Sequence, residues 1–202
     1  MQADASNFEA NLKAPKKISE NPIIKVGKRL YENPHFEVSE VEADFGAFTK
    51  TYLAADYGER SGVVVHRELP ETGIVEVLLV RQWRLLIRGH SLEIPGGKVD
   101  PGESAEESAQ RECFEESGVR CLRLTPLLAY EQGMDIVKTG TFLFSSNNFV
   151  EDREFVPDER EVNSVHWIPL KECVRMIFDG KIVDGFTILA LLVFKIQLDQ
   201  ND

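Results

Sequence analysis

Two kinds of apolar patterning divide the chain. Between residues 23 and 57 apolar and polar positions alternate in three runs, IIKVGKRLY, HFEVSEVEADF and AFTKTYLAADY, separated by Asn-Pro and Phe-Gly breaks. A period of two marks half-buried strands, so this segment predicts a small antiparallel sheet. Residues 61–66 and 75–80 are instead continuous apolar runs joined by Pro70-Glu71-Thr72-Gly73, the pattern of buried strands linked by a turn. Shorter strand patterns follow at 91–94, 122–130, 139–145 and 162–168. Two helices close the chain, 170–179 stopped by Gly180, and about 186–198. The longest apolar run, residues 186–194, is too short to span a bilayer and reads as a buried helix. The opening stretch is polar and lacks the apolar core of a signal peptide. The predicted organisation is a flexible leader at 1–20, a strand segment at 21–57 suited to dimerisation, and a main domain at 58–202.

One helix interrupts the strands and carries most of the chemistry. The stretch GGKVDPGESAEESAQRECFEESGV, residues 96–119, is a glycine-rich loop feeding an acidic helix. Ser104 and Glu107 form a capping box after the Pro101-Gly102 turn, and Gly118 supplies a left-handed stop, which predicts a helix over about 104–117. At about 100° per residue, Glu112 and Glu116 lie within about 40° of each other, on the side of Ala105 and Ala109. Glu115 lies about 60° to one side and Cys113 about 60° to the other, while Glu103, Glu107 and Arg111 point the opposite way. Like charges four residues apart repel, so a solvated acidic face and a cation site are both open readings.

Charge and cysteine content narrow the classes. A formal net charge of −11 argues against nucleic acid or an anionic membrane as partner. It also means that an anionic substrate needs local positive charge, from metal or arginine. Cys113, Cys121 and Cys173 form no CxxC pair and are odd in number, which favours a reducing cytoplasm.

The arrangement Gly97, Glu103, Arg111-Glu112, Glu115-Glu116, Gly118 resembles the Nudix hydrolase signature G-x5-E-x7-R-E-U-x-E-E-x-G-U, with Cys113 and Val119 at the bulky positions. The flanks LLVRQWRLLIRGHSLEIPGGKVDPGE and WIPLKECVRMIFDGKIVDGFTILALLVFK are similar to the ADP-ribose pyrophosphatase branch. With the early strands included, the likeness spans about residues 25–198. The resemblance implies a Nudix fold, an α/β architecture with a mixed sheet between helices. It implies hydrolysis of a nucleoside diphosphate linked to another group, dependent on Mg²⁺ or Mn²⁺. Glu112, Glu115 and Glu116, with the backbone carbonyl of Gly96, are the implied metal ligands. Gly97, Glu103, Arg111 and Gly118 are structural members of the motif, with Arg111 paired to Glu103 or Glu107.

Arg81 and Arg84 flank Gln82-Trp83 as in the branch's Arg-Gln-aromatic-Arg pattern. They read either as surface arginines or as a bidentate grip on phosphate. Glu93 is a substrate or supporting group. The branch supplies a water-activating glutamate from the loop before the last strand, where Glu159 and Glu161 are equal candidates, and Glu115 is the alternative within the motif. Phe36, Phe45, Phe48 and Tyr52 are candidates to stack on adenine in a homodimer. A proline that the branch carries past the motif is replaced here by Met134-Asp135-Ile136. ADP-ribose hydrolysis to AMP and ribose 5-phosphate is the leading reading. GDP-mannose, NADH and diadenosine polyphosphates stay open as substrates, and a non-catalytic ADP-ribose sensor is the reading from another class.

Overall fold

Residues 18–134, 136–158, 160 and 162–201 are described by the computed structural model, and they fall into two units. One comprises the chain up to Tyr57 together with Gly133–Lys138; the other comprises Gly58–Gln132 and Thr139–Asp202.

The first unit is a four-stranded sheet, ordered β1 (Ile23–Glu32), β2 (Glu37–Asp44), β3 (Thr49–Asp56) and β9 (Val137–Lys138). The three alternating runs pair antiparallel, as the pattern predicts. Asn33 turns the first hairpin by accepting from the N–H groups of His35 at 2.7 Å and Phe36 at 2.9 Å, and Asp44 accepts from Gly46 at 2.8 Å in the second. Strand β9 lies parallel to β3 and is the piece that periodicity misses, because two residues are too few to alternate.

The second unit holds a mixed seven-stranded sheet in the order β11-β5-β4-β10-β8, with β6 on β5 and β7 on β4. Its strands are β4 (Arg60–Leu69), β5 (Ile74–Arg84), β6 (Gly89–Glu93), β7 (Gly96–Lys98), β8 (Val119–Glu131), β10 (Gly140–Glu151) and β11 (Ser164–Pro169). Helix α1 (Ala105–Ser117) covers one face, and α2 (Leu170–Phe178) and α3 (Gly185–Asn201) cover the other. The continuous apolar runs follow from this layering. Val63, Val65 and Leu78 pack with Ala109, Cys113 and Phe144 beneath α1. Val64, Val77 and Leu79 alternate to the opposite face, against Cys173, Phe186 and Leu191. Each such side chain contributes about 1.5–3 kcal/mol by leaving water. No helix among the described residues is long and apolar enough to cross a membrane.

The hairpin β4–β5 positions the site by coming apart. Its strands pair only from His66–Val77 to Leu69–Ile74. Beyond that β7 takes the edge of β4 and β6 that of β5, and the expected glycine loop is in fact strand β7. Glycine is required there: a Cβ on Gly96 would lie 2.5 Å from the Ser61 carbonyl oxygen and 2.8 Å from the Gly62 Cα. A Cβ on Gly62 would lie 2.6 Å from Phe186 Cε1, closer still to its Cζ, and 2.9 Å from the Pro95 carbonyl oxygen. Gly62→Ala is therefore expected to destabilise the protein by about 1–3 kcal/mol, as overpacking does. Gly185→Ala, where no atom lies within 4 Å of the added carbon, is the control and should change stability by less than about 1 kcal/mol. Urea denaturation of both variants measures the contrast, and equal midpoints would refute it.

Candidate active site

Helix α1 is fixed at both ends as its sequence predicts. Ser104 Oγ accepts from the Glu107 N–H at 3.2 Å, while Glu107 Oε2 accepts from the Ser104 N–H at 2.8 Å. Gly118, at φ 71°, donates its N–H to the Phe114 carbonyl at 2.8 Å. Ser108, Ala109 and Cys113 are fully buried, so the small-residue face seats the helix on the sheet and carries Glu112 and Glu116 inward.

Glu116 is 9% exposed and sits where β4 and β5 have parted, between β5 and β7. Its carboxylate accepts from the Gln82 side-chain amide of β5 and, at 3.0 Å, from the Gly96 N–H of β7. Burial pushes its carboxyl up to about 7, against these two bonds, and the nearby Glu112 charge adds to the rise. The Glu112 carboxylate lies over Gly97, where a Cβ would come within 2.8 Å of Oε2 and closer still to Oε1. Burial raises its pKa as well, opposed by Arg111.

Arg111 spends its fork on several partners. Nε and Nη2 donate to the two Glu103 oxygens, both at 2.9 Å, Nη1 to Glu112 Oε1 at 2.8 Å and Glu115 Oε2 at 3.1 Å, and Nη2 to the Lys98 carbonyl at 3.1 Å. Its pKa is raised, chiefly by Glu103. Glu115 thus turns to Arg111 and is largely exposed, and among the described residues no three acidic, histidine or cysteine side chains are gathered as a metal group. The oxygen-only set of Glu112 and Glu116 still fits a hard divalent cation, because both carboxylates, one buried and one partly buried, have raised pKa values that positive charge would relieve.

The strand β5 sorts the two candidate arginines. Gln82 and Arg84 share one face, and Arg84 grips Glu93 bidentately, Nε to Oε1 at 2.8 Å and Nη2 to Oε2 at 2.6 Å. Its pKa is raised first by this bond, with Glu116 and Asp184 contributing charge. Arg81 turns to the other face and lines a separate cavity, so it does not join the Glu112–Glu116 cluster. Gln82 is the residue that sequence reasoning missed; its one signal was its place between Val80 and Arg84 on a common strand face. Ser61 and Ser91 carry buried hydroxyls without a hydrogen-bond partner among the described residues.

Glu159 and Glu161 lie outside the described residues. Between them Arg160 pairs with Asp158, and Val162 beyond is buried. Tyr52 stands half-buried on β3 in the first unit, with the Lys50 ammonium 4.4 Å from its ring centre. Phe36 stacks on Tyr57 at 4.9 Å, and Phe45 on Phe48 at 4.8 Å, so these rings are engaged with one another.

The family model described as the NUDIX domain matches residues 57–185, which contain this whole cluster. The chain belongs to the Nudix family. As a Nudix hydrolase it is an enzyme, and hydrolases of this family generally use divalent metal ions. It is 25% identical over 184 residues to an ADP-ribose pyrophosphatase of Bacillus subtilis (strain 168), covering 90% of this chain and 96% of that one. It is 23% identical to a methanol dehydrogenase activator of Bacillus methanolicus, with 79% and 84% covered. A CMP-5'-(N-acetyl-N-hydroxy-3-aminopropyl)phosphonate hydrolase of Streptomyces rubellomurinus (strain ATCC 31215) is 29% identical over 61% of this chain and 63% of its own. A solved structure titled as an ADP compounds hydrolase superposes with a TM-score of 0.71 at 20% identity, covering 92% of this chain and 98% of the other, which shows the Nudix fold.

The raised Glu116 carboxyl gives the Nudix hydrolase a specific pH dependence. A carboxyl that holds its proton more tightly when folded stabilises the fold below its ordinary value of 4.5, and that contribution is lost as pH rises through about 7. In chelator, the wild type should lose on the order of 3 kcal/mol relative to Glu116→Gln between those limits, at about 1.36 kcal/mol per pKa unit. Urea unfolding of both proteins across that range checks this, and parallel stability curves would contradict it.

Proposed function

We propose that this Nudix hydrolase is a metal-dependent pyrophosphatase for nucleoside diphosphates linked to a sugar, with ADP-ribose as substrate and AMP and ribose 5-phosphate as products. The observation that carries this reading is the placing of buried Glu116 and partly buried Glu112 against β7, with the Arg84–Glu93 pair on the face of β5 that carries Gln82. The likeness to an ADP-ribose pyrophosphatase over 90% of the chain supports the choice of substrate.

In this reading Glu112 and Glu116 hold Mg²⁺ or Mn²⁺, joined by Glu115 and the Gly96 carbonyl. An exposed pair such as Glu115–Arg111 is worth about 0–1 kcal/mol, so Glu115 can rotate inward at little expense. The bound cation supplies charge to neutralise the pyrophosphate oxygens. Arg84 is pre-oriented by Glu93, which takes Nε and Nη2 and leaves Nη1 to donate to a phosphate oxygen. Glu93 then acts by aiming Arg84. A water attacks one phosphorus, the bridging P–O bond breaks, and Glu159 or Glu161 takes the water's proton. Buried Val162, together with the 2.8 Å bond from the Asn163 N–H to the Arg81 carbonyl, ties the end of that loop to the strand carrying Gln82, which supports this origin of the base. The three free, buried thiols support a reducing, cytoplasmic setting.

The test is a panel of ADP-ribose, GDP-mannose, NADH and diadenosine polyphosphates with Mg²⁺, Mn²⁺ or chelator, products being identified in isotope-labelled water. ADP-ribose should give the highest kcat/KM, and chelator should abolish turnover. Glu116→Gln should lower kcat by about 10²-fold or more, and the true base variant among Glu159→Gln and Glu161→Gln by about 10²–10⁴-fold with metal activation unchanged. Full turnover in chelator, or preference for another nucleotide, would overturn the respective part.

We also propose a homodimer through the first unit. Edge strand β1 is exposed along its length and carries Ile23, Ile24, Val26, Leu30 and Tyr31, with Val26 at 73% exposure. An apolar edge that no strand pairs among the described residues calls for a second copy to cover it. Light scattering at micromolar concentration should give twice the chain mass, and Val26→Lys should reduce it to one; a fully active wild-type monomer would refute the assignment.

A further inference from the structure

The second unit has a cavity of about 450 Å³ on the face of β5 that Arg81 occupies. Strand register shows how it is built. Arg81 stands opposite Leu92 of β6 and opposite Ser164 of β11, and His166 stands opposite Leu79, whose side chain lies in the core beneath α2 and α3. The cavity therefore opens on the α2 side of the sheet, whereas Gln82, the next residue, reaches Glu116 on the α1 side. Leu92, Ile168 and Met176 form its apolar wall, and Arg81, His90, His166 and Lys181 its polar lining.

Lys181 is delivered by the end of α2. Gly180 at φ 69° turns the chain, the Lys181 N–H donates to the Met176 carbonyl at 2.8 Å, and the next residue, Ile182, is buried. The Lys181 ammonium lies 3.9 Å from Asp179, whose carboxylate is held more closely by Arg175 at 2.8 Å. His166 Nε2 shares a 2.8 Å hydrogen bond with Ser164 Oγ. Among the described residues no carboxylate lines the cavity, although the chain has 34 acidic side chains against 23 lysines and arginines. Arg81 and Lys181 with no lining carboxylate among the described residues, in a chain of net charge −11, form a local reversal of charge, and the two imidazoles add hydrogen-bonding nitrogens.

We propose that this cavity is a second binding site, separate from the catalytic cluster, that takes a phosphate monoester. A guanidinium fork matches two phosphate oxygens, an ammonium adds a point charge and imidazoles add N–H donors. The apolar wall leaves room for a small organic group on the fourth oxygen, which distinguishes a monoester from inorganic phosphate. The site does not depend on which substrate the catalytic cluster hydrolyses.

Calorimetric titration of the full chain in chelator tests this, with ribose 5-phosphate and inorganic phosphate as the two probes. Ribose 5-phosphate should bind at one site per chain and more tightly than inorganic phosphate. Lys181→Glu and Arg81→Gln should each weaken it by at least about tenfold, the loss of one charge-assisted contact. Glu116→Gln and Arg84→Gln should leave the affinity unchanged, and steady-state turnover of Lys181→Glu should match the wild type, which separates a lost ligand contact from a damaged fold. The proposal is overturned if neither probe binds saturably, if the two bind equally, or if binding is lost in Arg84→Gln and kept in Lys181→Glu.

Discussion

The acidic helix can approach a strand of glycines only because one guanidinium manages its charge. Arg111 joins Glu103, at the entry of α1, to Glu112 and Glu115 on its later turns, and caps the Lys98 carbonyl at the end of β7. Loop, helix and strand are thereby held by a single planar group whose donors point in fixed directions. A lysine would bring one charge to the same place without the geometry. The tie also explains the spacing of the motif, since Glu103 and Arg111 lie eight residues apart and meet only after the capped turn has folded back.

Arg111 neutralises the inner pair only in part. Glu116 has neutral donors alone, an amide side chain and a backbone N–H, and Glu112 shares the fork with two other carboxylates. The folded protein therefore holds one buried and one partly buried carboxylate on one side of the helix, an arrangement that disfavours their own ionisation. Such an arrangement weakens the fold on its own terms and favours a cation when one arrives. Stability and chemistry pull in opposite directions at this point, and the deep cores on both faces of β4 and β5 carry the difference.

The elements were legible where a local rule decided them. The capping box and Gly118 bounded α1 to within a residue, and uninterrupted valine and leucine runs marked the strands buried on both faces. The grouping of Glu112 with Glu116 followed from helical periodicity alone. What escaped depends on pairing between distant segments. Gln82 meets Glu116 across 34 residues of chain, and no local pattern distinguishes it from any glutamine on a strand. Arg81 and Arg84 looked alike because both flank Gln82-Trp83, yet strand alternation sends them to opposite faces, a distinction available only once the strand was known to continue through residue 84. The turn of Glu115 towards Arg111 was hidden for a related reason, since two rotamers of a long side chain are equally compatible with its place on the helix.

The first unit has a further consequence through its connectivity. Its fourth strand comes from Gly133–Lys138, an excursion between β8 and β10, so the sheet is assembled from two separated stretches of one gene. A fragment ending at Tyr57 lacks the piece that completes it, and a fragment beginning at Gly58 carries that piece with no sheet to receive it. The two units therefore cannot be inherited, exchanged or grafted as beads on a string, although each has its own strand order. Recombination between relatives is constrained to keep residues 133–138 with the partner strand they were selected beside, and a short connecting segment becomes part of the identity of a module encoded some eighty residues away.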